Sequence, residues 1–351
     1  LDILFFGENA SAMQITLKDV ARQSGCSVTT VSRALAGYDD VNEHTRQRII
    51  EVARQLGYQP NLVARGLRRQ STQTLGLIIP ANDRSFSGDF FSQLMLGISD
   101  GAARRHYDLL VSLQKSDEEE LAAYRRIVGG NRVDGIILAR TRHADPRIAY
   151  LRAVQHPFVV SGRAAPGEAN DFPYIDVDSQ HGIRLAVEHL MKLGHRHIGL
   201  ILPPREIAYT GYRLQGYLDA LQTTSTEYVV YGDLMRSGGY AGANQLLDQH
   251  PHLTAIVACN DLMALGAISA VQGRGLRVGT DIAITGFDDL PAAEYAHPAL
   301  TTIHQPIYEI GQRLAHMLIG LIEGEAPLET QIMLPARLIV RDSSGPRRPT
   351  A

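Results

Sequence analysis

The sequence predicts an α/β chain in which an all-α helix-turn-helix headpiece precedes a two-lobed body of doubly wound parallel sheets. Three observations lead there. Thr16 to Gly37 reads as two short helices broken by a Gly-containing turn. From Leu75 onward, short and nearly continuous apolar runs alternate with amphipathic stretches, the pattern of parallel strands covered by helices on both faces. Charge is also unevenly spread: residues 14 to 70 hold nine Lys/Arg against five Asp/Glu, while the remainder holds 25 against 32. A basic module on an acidic body suits attraction to phosphates, which dominate affinity for DNA.

Thr16 with Asp19 forms a capping-box-like start, and Leu17, Val20, Ala21 and Ser24 then share one face at i, i+3, i+4 spacing. Gly25-Cys26-Ser27 makes the corner, Ser27 can cap the second helix, and Val31 and Leu35 bury its inner side. Thr29, Thr30 and Arg33 are left for the outer side, where a recognition helix presents its first residues to base edges. A third helix runs from about Glu43 to Leu56, capped by Asn42, stopped by Gly57, with Ile49, Ile50, Ala53 and Leu56 inward. Pro60 breaks the chain, Asn61 can cap a short helix, and Val63, Ala64 and Leu67 line one face of it.

The run from Asp40 to Arg46, together with Gly57-Tyr58-Gln59-Pro60-Asn61-Leu62-Val63-Ala64-Arg65-Gly66-Leu67-Arg68, resembles the headpiece and hinge of the lactose-repressor (LacI/GalR) family of bacterial transcription regulators. The resemblance implies DNA contacts from Thr16, Leu17, Ser27, Val28, Thr29, Thr30, Ser32 and Arg33 in the headpiece, and from Asn61, Ala64, Leu67 and Arg68 in the hinge. It further implies that paired hinge helices of a homodimer wedge Leu67 into the minor groove at the operator centre, kinking a deformable step in return for more contact.

Strands are predicted at Leu75–Ile79, Asp108–Ser112, Gly135–Leu138, Phe158–Val160, Tyr174–Val177, Ile198–Leu202, Tyr228–Tyr231, Ala255–Ala258, Ile282–Thr285 and Thr301–Ile303. Ten strands suit two doubly wound lobes, with ligand chemistry at the strands' carboxyl ends. The body resembles the periplasmic-binding-protein fold that the family carries as its sensor. Six landmarks carry that resemblance: residues 133–138, 193–198, 213–217, 258–264, 286–289 and 298–303. The expected organisation is a leader, 1–13; a headpiece, 14–60; a hinge and linker, 61–73; a body, 74–345; and a tail, 346–351. Within the body, lobe one is expected over about 74–173 and 304–332, and lobe two over about 174–303 and 333–345. Met13 is the expected natural start, with the residues before it an over-extended frame or a disordered leader. The tail has no leucine heptads, which favours a dimer over a coiled-coil tetramer.

Arg213, Asn260 and Asp288 follow strand ends of the second lobe and Arg163 one of the first, offering planar groups for hydrogen bonds to vicinal hydroxyls or a carboxylate. Asn260 and Asp288 equally suit helix caps or turns. Phe90, Phe91, Tyr209 and Phe287 are candidates for stacking on a ligand face, since Trp is absent. The resemblance implies a small effector, commonly a sugar or nucleobase, at these positions. No apolar run reaches the length of about 18 residues that a membrane span needs. Cys26 and Cys259 make no disulfide framework, so a reducing cytoplasm is expected.

Enzymatic readings fail. Gly97-Ile98-Ser99-Asp100-Gly101 satisfies G-x-S-x-G but falls inside a predicted helix, whereas a nucleophile elbow needs a sharp strand-to-helix turn. No phosphate-binding GxxxxGK[ST], dinucleotide or His-Glu-x-x-His motif occurs, and His195 and His197 lack further metal ligands at useful spacing. No cofactor is expected. The resulting expectation is a ligand-responsive regulator, most often a repressor, that binds a pseudo-palindromic operator as a dimer. The alternative is a solute-binding protein of a sugar transporter, which would share the body but have no use for residues 16–69.

Overall fold

The computed structural model describes residues 15–58, 71–80, 89–325 and 328–346. The chain divides into two units, 1–72 and 73–351. The leader, the hinge candidates Asn61, Ala64, Leu67 and Arg68, the segment 81–88 and the tail beyond Pro346 lie outside the described residues.

In the first unit three helices surround a small core of Val20, Ala21, Val31, Ala34, Val41, Ile49 and Ala53. Helix α1 (Leu17–Ser24) begins at a reciprocal capping box, with the Thr16 N–H donating to Asp19 Oδ2 at 3.0 Å, and ends at Gly25 with φ 64°. That positive φ is why a glycine makes the corner. Helix α2 (Val28–Leu35) is capped by Ser27, whose Oγ accepts from the Thr30 N–H at 3.0 Å. Helix α3 (Glu43–Leu56) is capped by Asn42 and stopped by Gly57. The inward set predicted for α3 needs one correction, because Ile50 is 48% exposed. It lies one position, about 100°, round the helix from the buried Ile49.

The second unit holds two six-stranded sheets. The first has the order β11-β5-β4-β3-β1-β2, built from β1 (Thr74–Pro80), β2 (Asp108–Gln114), β3 (Gly135–Ala139), β4 (Phe158–Ser161), β5 (Tyr174–Val177) and β11 (Gln331–Leu334). The second has the order β12-β10-β9-β8-β6-β7, built from β6 (Ile198–Leu202), β7 (Val229–Tyr231), β8 (Ala255–Ala258), β9 (Ala283–Asp288), β10 (Thr301–His304) and β12 (Arg337–Ile339). Every pairing is parallel except β10 with β12. Strands β3, β6 and β8 are buried along their whole length, which is why they read as continuous apolar runs.

The lobe boundary expected at 173/174 is corrected: β5 pairs with β4 and then receives β11, so Tyr174–Val177 belongs to the first sheet, as do Met333 and Leu334. Both β11 and β12 escaped the sequence reading because they are short, partly exposed edge strands separated by Pro335. The chain therefore passes between the sheets three times, after β5, after β10 and between β11 and β12.

Helices α4 (Asp89–Ala103) and α12 (Ile307–Glu323) pack in unusually close contact. A methyl on Gly97 would sit 2.0 Å from the Tyr308 carbonyl oxygen, and one on Gly311 would sit 2.4 Å from that of Leu94. The G-x-S-x-G match is thus a helix-packing surface. Gly97→Ala is expected to force the two helices apart and to lower the unfolding free energy by about 1–3 kcal/mol. Urea denaturation of the variant checks this; an unchanged midpoint would show that the helices separate freely.

Candidate functional site

The headpiece presents the outer face of α2. Val28, Thr29 and Arg33 are exposed, whereas Thr30 and Ser32 are half-buried and Leu17 packs against the headpiece core. Ser27 and Thr16 are engaged as caps, and Ser27 Oγ also lies 2.8 Å from Thr30 Oγ1. The Arg33 guanidinium is held by Asp40, Nε to Oδ1 at 3.1 Å and Nη2 to Oδ2 at 2.5 Å, and lies 5.0 Å over the Tyr38 ring. An exposed pair of this kind contributes at most about 1 kcal/mol, so it aims Arg33 without preventing its transfer to a phosphate or a guanine. Cys26 is half-buried and accepts from Arg48 Nη2 at 3.4 Å, a packed position.

In the body, a cavity opens between the carboxyl ends of the two sheets. Its wall takes Phe90 and Phe91 from the start of α4, Arg140 after β3, Asp176 from β5, Asn260 and Asp288 from the ends of β8 and β9, and Gln305 after β10. Tyr209 and Arg213 reach it from α8 (Tyr209–Leu221). Ile175, Leu234, Leu262 and Ile307 supply apolar surface between these groups.

Arg213 is fixed before any ligand arrives. Its guanidinium lies between the Tyr209 ring at 4.3 Å and the Phe287 ring at 4.0 Å, and Nη1 donates to the Cys259 carbonyl. Its buried Nε–H has no acceptor among the described residues. Asp288 Oδ1 accepts from Gln305 Nε2 at 2.6 Å, and its backbone takes φ 125°, a region that L residues rarely adopt. The turn is held in place by neighbours: Asp261 accepts from the Leu290 N–H at 2.7 Å and from Thr302 Oγ1 at 2.5 Å, and Arg341 Nη2 reaches Asp289 Oδ1 at 2.7 Å. Burial pushes the Asp288 carboxyl up to about 7, against the opposing pull of Arg213 and Gln305. Asp261, also buried and beside Asp288, is raised in the same direction.

Two regions of the chain match known family models. Residues 16–61 match bacterial regulatory proteins of the lacI family, and residues 187–344 match a periplasmic binding protein-like domain. The HTH-type transcriptional regulator CelR of Thermobifida fusca is 33% identical over 335 residues, 93% of this chain and 98% of that protein. The Lac repressor dimer bound to operator and the anti-inducer ONPF superposes with a TM-score of 0.83 at 30% identity, covering 94% of this chain and 99% of that one. A CelR–cellobiose complex gives 0.73 at 32% identity, covering 94% and 99%. The chain belongs to the LacI family.

As a LacI-family protein it is a DNA-binding transcriptional regulator, neither an enzyme nor a transporter's solute-binding protein. Six of the eight candidate effector residues come together at the cavity: Phe90, Phe91, Tyr209, Arg213, Asn260 and Asp288. Two do not. Phe287 is fully buried beneath the Arg213 guanidinium, because successive strand residues face opposite sides of a sheet and Asp288 takes the cavity side. Arg163 turns away to pair with Asp176, Nε to Oδ2 at 2.9 Å, and stacks at 3.8 Å on Tyr212. Asn260 also serves as a cap, its Oδ1 accepting from the Met263 N–H at 2.8 Å and its Nδ2 donating to the Leu234 carbonyl at 2.9 Å. Arg140, Asp176 and Gln305 escaped the sequence reading. Each does sit at or just past the end of a predicted strand, and that position was the available signal.

The shift at Asp288 has a defined sign. Between the ordinary value of 3.8 and about 7, the folded protein keeps a proton that the unfolded chain has lost, so this group's contribution to stability falls as pH rises across that window. Asp288→Asn, which keeps the Gln305 contact, is expected to raise the unfolding temperature relative to wild type at pH 8 and to leave it unchanged at pH 3.5. Calorimetric melts across that range check it, and equal differences at both ends would remove the burial account.

Proposed function

We propose that this regulator is a cytoplasmic repressor that binds a pseudo-palindromic operator as a homodimer and senses a small polyhydroxylated molecule, a sugar, in its cleft. Val28, Thr29 and Arg33 read the major groove of each half-site, and Leu67 of the paired hinges wedges the minor groove at the centre. Phe90, Phe91 and Tyr209 face the sugar ring, while Arg213, Asn260 and Asp288 bond its hydroxyls. The single observation that carries the reading is the combination in one chain of a capped α2 with exposed Val28, Thr29 and Arg33 and a cleft around the preorganised Arg213. The operator and the cellobiose bound by its relatives support it. The ligand acts through its differential affinity for the arrangements of the two lobes, so induction and co-repression are the same mechanism with opposite sign.

The deciding experiment is selection of bound sequences from a random duplex library, followed by anisotropy titrations of the winner with and without sugars. A pseudo-palindrome whose affinity falls steeply with salt is the expected result; no enriched sequence would overturn the DNA reading. Arg33→Ala is expected to relax preference at one position per half-site, by about 1–3 kcal/mol against the wrong base. Equal weakening on every sequence would make Arg33 a phosphate contact instead.

A further inference from the structure

Around the cavity, each wall carboxylate is already committed. Asp176 accepts from Arg163 Nε and, through Oδ1, from the Val177 N–H at 2.9 Å, and Asp288 accepts from Gln305. Behind the wall, Glu120 is fully buried between Arg142 Nη2 at 2.6 Å and Arg147 Nη1 at 2.7 Å. Asp145 is held by Arg147 Nη2 at 2.6 Å.

Arg140 is the exception. It follows β3 with φ 54°, its carbonyl anchored by Arg147 Nη2 at 2.7 Å, and its guanidinium lies 5.1 Å over the Phe91 ring on the cavity wall. Among the described residues that side chain has neither a hydrogen-bond acceptor nor an ion-pair partner. Phe91 gives the cation one face of a ring and leaves its N–H donors unused among the described residues. A half-buried guanidinium without a counter-ion favours an anion beside it, because charges at the cleft wall are screened less than in open water. Across the cavity, Arg213 adds a second guanidinium whose Nε–H has no acceptor among the described residues, though it lies in the field of the Asp288 carboxyl. Asp176 is paired with Arg163 and Asp288 lies in the field of Arg213, so Arg140 is the wall cation that has no ion-pair partner among the described residues. A neutral polyol would satisfy donors and acceptors, yet would leave Arg140 without a counter-charge.

We infer that the effector is an anionic sugar, a polyhydroxylated molecule whose carboxylate or phosphate group seats against Arg140 while its hydroxyls face Arg213, Asn260 and Asp288. This rests on the effector-cleft reading above and narrows its ligand class. The planar guanidinium suits both anions, since each offers two coplanar oxygens to a bidentate donor.

Calorimetry on the full chain with matched pairs tests it: glucose against glucose 6-phosphate, glucose against glucuronate, and galactose against galacturonate. The charged member of at least one pair is expected to bind about tenfold tighter or more than its neutral parent. The phosphate and carboxylate arms separate the two sources of negative charge. In Arg140→Met the preference is expected to vanish, and in Arg140→Lys to return in part; circular-dichroism melts establish that each variant is folded, and the lysine variant alone suffices if the methionine one is not. Equal or tighter binding of the neutral members, or a charge preference that survives in Arg140→Met, overturns the proposal and leaves the sugar-sensing reading standing. No binding by either member of any pair overturns both.

Discussion

Charge held away from water is the constraint on which the body of this regulator depends. Arg147, wholly buried, is met by Asp145, Glu120 and the carbonyls of Ala139 and Arg140, so the turn leaving β3 has one arrangement in which those groups are satisfied. Asp261 plays the same part after β9, where its two oxygens accept from Thr302 and from the Leu290 backbone. Buried ion pairs roughly break even against apolar residues in net stability, yet removing one partner is severe. Such groups therefore fix geometry more than they add stability, and here the fixed geometry is that of the two turns carrying Arg140 and Asp288 to the cavity.

The first of these turns also joins the lobes. Beyond Arg140, the Thr141 carbonyl accepts from the Ala208 N–H at 2.9 Å and the His143 N–H donates to the Glu206 carbonyl at 3.0 Å, linking the β3 end of one lobe to the β6 end of the other. Tyr212 adds a second link, its hydroxyl donating to the Ala164 carbonyl at 3.1 Å while its ring carries the Arg163 guanidinium. Arg163 thus connects a carboxylate on the cavity wall, Asp176, to a side chain of the opposite lobe. A ligand that changes how these groups are satisfied changes the balance between lobe arrangements, and the three chain crossings confine that change to a hinge-like motion.

The headpiece is governed by a different limit. Its core is seven buried apolar side chains, four of them Val or Ile, and a unit that small buries too little surface for hydrophobicity alone to set its geometry. Local chemistry does much of the work: a capping box at Thr16, Ser27 and Asn42 at the next two helix starts, and left-handed glycines at Gly25 and Gly57. Each cap adds about 1 kcal/mol and sets where a helix begins. That fixes which side chains of α2 remain outside.

These local features were legible in the sequence, because a cap, a glycine stop or an apolar period depends only on residues a few positions apart. The headpiece helices, ten of the twelve strands among the described residues and the two-lobed class follow from such patterns, and the strand ends located Arg213, Asn260 and Asp288. The tertiary structure alone decided what depends on residues distant in the chain. It assigned Tyr174–Val177 to the first sheet through its pairing with β4 and β11. Asp176 took Arg163 out of the cavity, while Phe287 became the floor beneath Arg213. Arg140, unremarkable in sequence, reaches the cavity wall over Phe91 from the turn after β3, whose Arg140 carbonyl Arg147 holds. Desolvation and pairing are properties of a surrounding volume, and a linear sequence does not contain that volume until the chain has folded around it.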